Sequence, residues 1–363
     1  MTPDRDRVRA RDLGVAPGAL SPGPVNAITD VPGIRVGHTT LIEGATIRTG
    51  VTAVVHDALI GASPDGRRAL PAGLAVFNGF GKMVGTTQID ELGIVETPVL
   101  LTATLSVFRV ADALLSYLHE LPAFAGDGSL NPVVAETNDG YLSDIWARPI
   151  GPAHVRAALD GAAGGPVAEG CVGAGTGTGA LGYKAGVGTS SRLLELSAGT
   201  GPAVLGALVQ ANFGGVLTVG GVAIPPPADG PTEPGPPGGS CVIVLAIDVP
   251  LGSRELRRVA NRAFAGMARA GSDFSGNSGD YALAISTASG REATRPDGSV
   301  PQKDLDVIFT AAIEATEEAI LNSVLTAVTT TGYRGHIRRA VRVDHLRAVL
   351  ARADQPGGGS GRM

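Results

Sequence analysis

AIPPPADGPTEPGPPGG, residues 223–239, runs directly into SCVIVLAIDVPL, residues 240–251. Seven of the seventeen residues in the first stretch are proline and four are glycine, so it can run neither a helix nor a central strand. The second is the most continuously apolar strand pattern in the chain. A loose arm is thus expected to meet a stiff, buried strand at Gly239–Ser240. On the residues alone two readings stay open. One is a plain linker between two bodies. The other is a bond built for intramolecular cleavage. Gly239 has no side chain to hinder attack on its carbonyl, and it tolerates strained dihedrals. The Ser240 hydroxyl can take over the acyl group, water can release it, and Ser240 then carries a free α-amine of pKa about 7.7–8.0. A hydroxyl activated by an N-terminal amine is a known nucleophile arrangement.

Outward from this junction, short apolar runs bounded by Gly or Pro predict buried strands: IRVGHTT (34–40), GVTAVVH (50–56), LAVFNG (74–79), VVAET (133–137), GVLTVGGVAI (215–224), CVIVLAI (241–247) and YALAIST (281–287). Helices are predicted over 104–119, 253–270, 304–328 and 338–352. The second has the i, i+3, i+4, i+7 spacing in Leu256, Val259, Ala260, Ala263, Phe264 and Met267, with Ser253 as N-cap and Gly271 as stop. Residues 1–24 and 353–363 read as flexible tails around one continuous body, 25–352. A net charge of −5, with 17% charged residues, gives no pull toward nucleic acid or anionic membranes. No run of 18 apolar residues predicts a membrane span. The two cysteines, Cys171 and Cys241, point to a reducing, cytoplasmic setting, and no secretory leader is expected.

Eight segments, in order, carry a family resemblance: DVPGIRVGHTT (30–40), TGVTAVVH (49–56), NGFGKMVG (78–85), AETNDGYLSDI (135–145), GAGTGTGALGYKAGVGTSSR (173–192), LVQANFG (208–214), GSCVIVLAIDVPL (239–251) and GNSGDYALAIST (276–287). From about residue 28 to residue 345 the chain resembles the DmpA/BapA family of aminopeptidases, peptidase family S58. The resemblance implies an α+β fold. It would be a single-domain αββα four-layer sandwich like that of N-terminal-nucleophile hydrolases and ornithine acetyltransferase. It implies self-cleavage into chains 1–239 and 240–363, a homotetramer, and hydrolysis of short peptides, amides or esters with a free amino end. No metal or cofactor is expected. By position, Ser240 matches the nucleophile, and Ser278 and Asp280 the hydroxyl–carboxylate pair that assists it. Asn212 matches an oxyanion donor, Glu136 the carboxylate that holds the substrate ammonium, and Tyr141 a tyrosine lining the site. The chain departs from the family's TNTLSVG pattern at TATLSVF (102–108); Ala103 and Phe108 are therefore expected to reshape the pocket.

Apart from the resemblance, the same residues have plainer readings. Ser278 and Asp280 are turn formers, Asn138 and Asp139 suit a hairpin turn, and Asn212 suits a helix C-cap. Gly177, Gly179 and Gly182 spell a G-x-G-x-x-G, but without the strand and acidic residue of a dinucleotide site; close backbone packing is expected there, with Lys184 on the surface. The six histidines show no metal-ligand spacing. Cys241 should alternate to the face opposite Ser240 and pack in the core. Two rival functions remain in view: an acyltransferase like ornithine acetyltransferase, and a binding protein with a merely flexible linker.

Overall fold

The computed structural model describes residues 7–197, 202–226, 239–288 and 300–353. Residues 227–238, most of the Pro/Gly arm, and the terminal 354–363 lie outside the described residues.

Along the chain run β1 (Ile34–Glu43), β2 (Ile47–His56), β3 (Leu70–Gly79), β4 (Met83–Val84), α1 (Thr86–Leu92), β5 (Ile94–Val95), β6 (Val99–Ala103), α2 (Val107–His119), β7 (Val133–Thr137) and α3 (Pro152–Asp160). Then come β8 (Gly179–Ala180), β9 (Tyr183–Lys184), β10 (Val187–Leu194), β11 (Ala203–Asn212), β12 (Thr218–Val219), β13 (Val222–Ala223), β14 (Gly239–Ile247), α4 (Ser253–Ala270), β15 (Ser278–Ser286), α5 (Gln302–Leu325) and, after a short strand pair, α6 (Val343–Ala353). One sheet has the order β1-β2-β6-β7-β4 and the other β10-β11-β14-β15-β3-β5.

Alternation along the strands builds the layers. In β14, Cys241, Ile243, Leu245 and Ile247 pack with α4 and α5, while Val242, Val244 and Ala246 pack toward the other sheet. In β2, Val51, Ala53 and Val55 face α2 and α3, and Val54 faces the second sheet. A strand covered on both faces must be apolar throughout, which is why β14 reads as one continuous run. The result is the αββα four-layer sandwich, α+β in class and a single body. Helix α5 lies so close to β10 that a Cβ on Gly188 would sit 2.0 Å from the Ala319 carbonyl oxygen. Helix α4 stops at Gly271, as expected, in a left-handed conformation (φ 108°). Its N-cap is Gly252 instead of Ser253.

Several expectations need correction. GVLTVGGVAI is not one strand but the tight pair β12 and β13, turned by Gly220 and Gly221, both at positive φ. Strands β6, β10 and β11 were not predicted. Thr, Ser, Gly, Gln and Arg interrupt their apolar runs, yet these polar groups are buried and paired. Lys184 is fully buried, not on the surface; its Nζ donates to the Gly175 carbonyl at 3.1 Å and to that of Ala185.

The tail expected over 1–24 is docked from Arg9 onward. Arg9 donates to the carbonyls of Val25, Asn26 and Thr189, and Ala10 is fully buried. The reason lies in α5, which is buried all round from Glu314 to Leu325. Its carboxylates hold the segment: Glu314 accepts from the Ala19 and Leu20 N–H groups, and Glu318 pairs with Arg11. Between them sits Arg192, fully buried, with Glu318 at 2.8 Å and Glu314 at 3.3 Å. Neutralising one partner strands a buried guanidinium. Glu318→Gln is therefore expected to lower stability by about 3–5 kcal/mol in chemical denaturation and to open the segment around Arg9 and Arg11 to trypsin. Wild-type stability with a still-protected segment would refute this assignment.

Candidate active site

Strand β14 begins at the junction itself. Its antiparallel neighbour β11 ends at Asn212, opposite Ser240, and its parallel neighbour β15 begins with Ser278 opposite Gly239 and Gly279 opposite Ser240. From the other sheet, β7 ends at Thr137 and passes into Asn138. The Asn138 N–H donates to Ser240 Oγ at 3.1 Å. Ser240 shares its face with Val242 and Val244, so its hydroxyl points between the sheets, at the mouth where both end. It lies on the floor of a cavity of about 520 Å³ whose wall includes Lys82, Glu136, Tyr141, Asn212 and Arg338. Only glycine fits before it: a Cβ on Gly239 would come within 2.6 Å of Phe213 Cα and 2.7 Å of the Asn212 carbonyl oxygen.

Asn212 is the end of a strand, not a helix cap. Its Nδ2 donates to the Asn138 carbonyl at 3.0 Å and its Oδ1 accepts from the Gly179 N–H at 3.1 Å. One amide thus ties two loops to the strand that carries Ser240. The Gly-rich stretch supplies one of those loops and packs backbone against backbone, as expected. A Cβ on Gly175 would sit 2.3 Å from the Val187 nitrogen, and one on Gly177 2.1 Å from the Arg48 carbonyl oxygen. Gly179 and Gly182, further along, line the cavity.

Ser278 and Asp280 open β15; they are not turn residues. Ser278 Oγ donates to Asp280 Oδ1 at 2.7 Å, and Asn78 Nδ2 donates to Asp280 Oδ2 at 2.9 Å. Burial raises the Asp280 carboxyl, and the Ser278 and Asn78 hydrogen bonds oppose the rise. Strand alternation places both on the face with Ala282 and Ala284, beside Cys241. The pair therefore flanks the Gly239–Ser240 peptide, opposite in facing to the Ser240 hydroxyl. Cys241 itself is fully buried in the helix-side core, as expected.

Glu136, on β7, is 2% exposed. Its Oε1 accepts from the Lys82 N–H at 3.0 Å and lies 3.6 Å from Lys82 Nζ, which also donates to Thr104 Oγ1 at 2.8 Å. Its Oε2 is buried with no hydrogen-bond partner. Burial raises this carboxyl, and Lys82 counters it. Two residues past Asn138 the backbone turns, with Gly140 N–H donating to Asn138 Oδ1 at 3.0 Å. Inside that turn Asp139 is buried, and neither of its carboxylate oxygens has a partner. Tyr141 follows, stacked on His336 at 4.4 Å with Arg338 over its ring at 4.4 Å.

The structure thus gathers all six expected side chains and Gly239 at one end of the sandwich. Sequence reasoning missed Lys82, Asn78, the Asn138 N–H and Arg338. Lys82 and Asn78 stand in NGFGKMVG, where two polar side chains among glycines were a usable signal. Arg338 was expected on a solvated helix, but α6 begins only at Val343 and Arg338 lies in the cavity wall. Phe108 does not reshape the pocket: it is 66% exposed on α2 and absent from the wall, because the helix turns it outward. Among the described residues no cluster of His, Cys, Asp and Glu is placed to hold a metal ion. A hydroxyl with an N–H donor, a carboxylate oxygen awaiting a cation, and a closed polar wall suit acyl transfer from a substrate bearing an amine.

Comparison with known proteins agrees. The model of peptidase family S58 matches residues 26–338. Two beta-peptidyl aminopeptidases BapA are similar. That of Sphingosinicella xenopeptidilytica is 41% identical, covering 94% of this chain and 90% of the relative. That of Sphingosinicella microcystinivorans is 38% identical, covering 94% and 91%. Among solved structures, the L-aminopeptidase D-Ala-esterase/amidase of Ochrobactrum anthropi, described as a variant of the Ntn hydrolase fold, superimposes with a TM-score of 0.84 at 37% identity, over 95% of this chain and 98% of that one. With the family model spanning most of its length, the same four layers, and a hydroxyl and carboxylate facing one cavity, this chain belongs to peptidase family S58 and is a hydrolase of the aminopeptidase kind.

Proposed function

We propose that the chain cuts itself between Gly239 and Ser240, and that the freed Ser240 is the nucleophile of a serine aminopeptidase acting on short peptides, amides or esters with a free amino end. The observation that carries this reading is Glu136 Oε2, a buried carboxylate oxygen without a partner, in the wall of the cavity that has Ser240 on its floor. A substrate ammonium supplies the missing partner through a charge-assisted hydrogen bond.

In maturation, Ser240 Oγ attacks the Gly239 carbonyl carbon and the C–N bond breaks. The nitrogen keeps its own hydrogen and takes the hydroxyl proton to become the free α-amine, and water hydrolyses the resulting ester to restore the hydroxyl and leave the Gly239 carboxylate. The close approach of Asn212 and Phe213 explains why glycine stands there. The Ser278–Asp280 pair, in register with Gly239, positions the severed end. In turnover, Glu136 fixes the ammonium and the Ser240 α-amine takes the hydroxyl proton as Oγ attacks. The Asn138 N–H and the Asn212 amide face the developing oxyanion; one such donor is worth roughly 2.7–4 kcal/mol. The α-amine then passes its proton to the leaving amine, and water releases the acyl group. Tyr141 walls the cavity. We further read the enzyme as a cytoplasmic homotetramer: the free thiols of Cys171 and Cys241 favour a reducing compartment, and the outward Phe80 and Trp146 give it apolar surface to cover.

Intact-mass analysis tests maturation. Wild type is expected as two chains beginning at Met1 and Ser240, and Ser240→Ala as one 36.5 kDa chain without turnover. An uncut wild type that is fully active would sink the mechanism. Transfer of the acyl group to an added amine, with no hydrolysis, would favour the acyltransferase instead. Glu136→Gln is expected to cost about 1.5–3 kcal/mol in kcat/KM, roughly 10–150-fold, mainly through KM; a change in kcat alone would contradict the ammonium role.

The turn that offers the Asn138 N–H has its own pH dependence. Burial pushes the Asp139 carboxyl up to about 7. The unfolded value is about 3.9, so the folded state keeps a proton that the unfolded chain releases. Stability should therefore fall as pH rises from about 4 to 7, and level off above. Asp139→Asn is expected to match wild type near pH 4 and exceed it at pH 7 and above, by on the order of 4 kcal/mol at most. Parallel stability curves for the two proteins across that range would refute it.

A further inference from the structure

Arg338 is a second charged feature of the cavity, and the mechanism above leaves it unused. Its guanidinium lies 4.4 Å over the Tyr141 ring. Its Nε would be 3.1 Å from a Cβ on Gly179, so it covers that glycine's bare face. Gly179 is the residue whose N–H holds Asn212, which stands opposite Ser240 in the ladder. Arg338 is therefore one residue removed from the nucleophile's immediate support.

The guanidinium makes no hydrogen bond or ion pair with any described residue. Each of the other cavity charges has at least one partner. Lys82 pairs with Glu136, and Asp273 accepts from the Ser275 N–H and hydroxyl. Burial disfavours the cation, and no carboxylate offsets that cost. The planar fork keeps its N–H donors for something that enters the cavity, with the aromatic face of Tyr141 holding it in plane. A carboxylate is the group that fork matches, bidentately. Glu136, Tyr141 and Arg338 line the same cavity as Ser240, so a carboxylate and a guanidinium both face the space that a substrate would fill.

We propose that Arg338 is a specificity-determining residue that binds the free carboxylate of the leaving amino acid, so that the preferred substrates are zwitterionic dipeptides with Glu136 at one end and Arg338 at the other. This rests on the aminopeptidase reading of Ser240 and Glu136.

The test compares X-Leu with its C-terminal amide X-Leu-NH2, where X is whichever of L-Ala, D-Ala or β-Ala is released fastest and Ser240→Ala serves as the blank. In wild type, kcat/KM for the acid should exceed that for the amide roughly tenfold or more. In Arg338→Met that ratio should fall to about one, and Arg338→Lys should restore part of it. A structural role would lower both substrates together and keep the ratio. An unchanged ratio in Arg338→Met, or a wild type with no preference for the acid, overturns the proposal. If wild type turns over neither peptide, the hydrolase reading fails. Calorimetric binding of X-Leu and X-Leu-NH2 to wild type and Arg338→Met then decides the carboxylate site by the same ratio: tighter binding of the acid, lost in the variant, supports it, and equal binding of the two peptides overturns it.

Discussion

The hydrogen bond from the Asn138 N–H to Ser240 Oγ joins the two sheets at the place where both run out. Each sheet is stiff on its own, but the cavity takes its polar groups from both. Strand β14 brings the hydroxyl, β11 the amide of Asn212, and β7 the Asn138 N–H and Glu136. The sheets stay in this relation because their facing sides interlock through aliphatic side chains. Gln210 adds a polar bridge deep between them, donating to the Thr102 carbonyl at 3.1 Å, Thr137 Oγ1 at 2.8 Å and the Ala174 carbonyl at 2.9 Å. A slip of one residue in β14 would turn Ser240 toward the helices and bring Cys241 into the cavity.

Buried charge is distributed with a clear division of labour. On the helix side, Arg192 is enclosed by Glu314 and Glu318 and by the carbonyls of Pro17 and Glu314, so its charge is fully answered. This network is structural: it closes the N-terminal segment over α5. In the cavity between the sheets, by contrast, Glu136 Oε2 has no partner and the Arg338 guanidinium is unpaired among the described residues. Buried groups left in that condition cost stability unless something else completes them. Their location in one cavity, together with the Ser240 hydroxyl, gives the site both a negative and a positive group.

Much of the site was legible before any coordinates. Ser240 stood out because a proline-laden arm met a strand. Glu136, Asn212, Ser278 and Asp280 came through the family likeness, since each has an ordinary reading as a strand, cap or turn residue. The strand that read most clearly was β14, with its unbroken aliphatic run. Those that were missed, β6, β10 and β11, carry buried Thr, Ser, Arg and Gln, which pattern reading assigns to the surface. Lys184 was misplaced for the same reason: its ammonium is satisfied by carbonyls contributed by its own loop, a pairing that periodicity cannot reveal. The N-terminal segment was read as a tail because it has charge and few apolar residues. It is held by carboxylates about three hundred positions away.

The sequence by itself determined where the Pro/Gly arm meets a buried strand, that β14 is covered on both faces, and where α4 stops. These follow from short-range chemistry: glycine's missing side chain, proline's missing N–H, and the period of apolar residues. Only the tertiary structure decided which polar groups face one another across the sheets. It set Asn138 rather than a side chain beside Ser240, paired Lys82 with Glu136, laid Arg338 over Tyr141, and turned Phe108 away from the cavity. The physical reason is that such contacts depend on the packing distance between two layers, and no local pattern along a single chain encodes that distance.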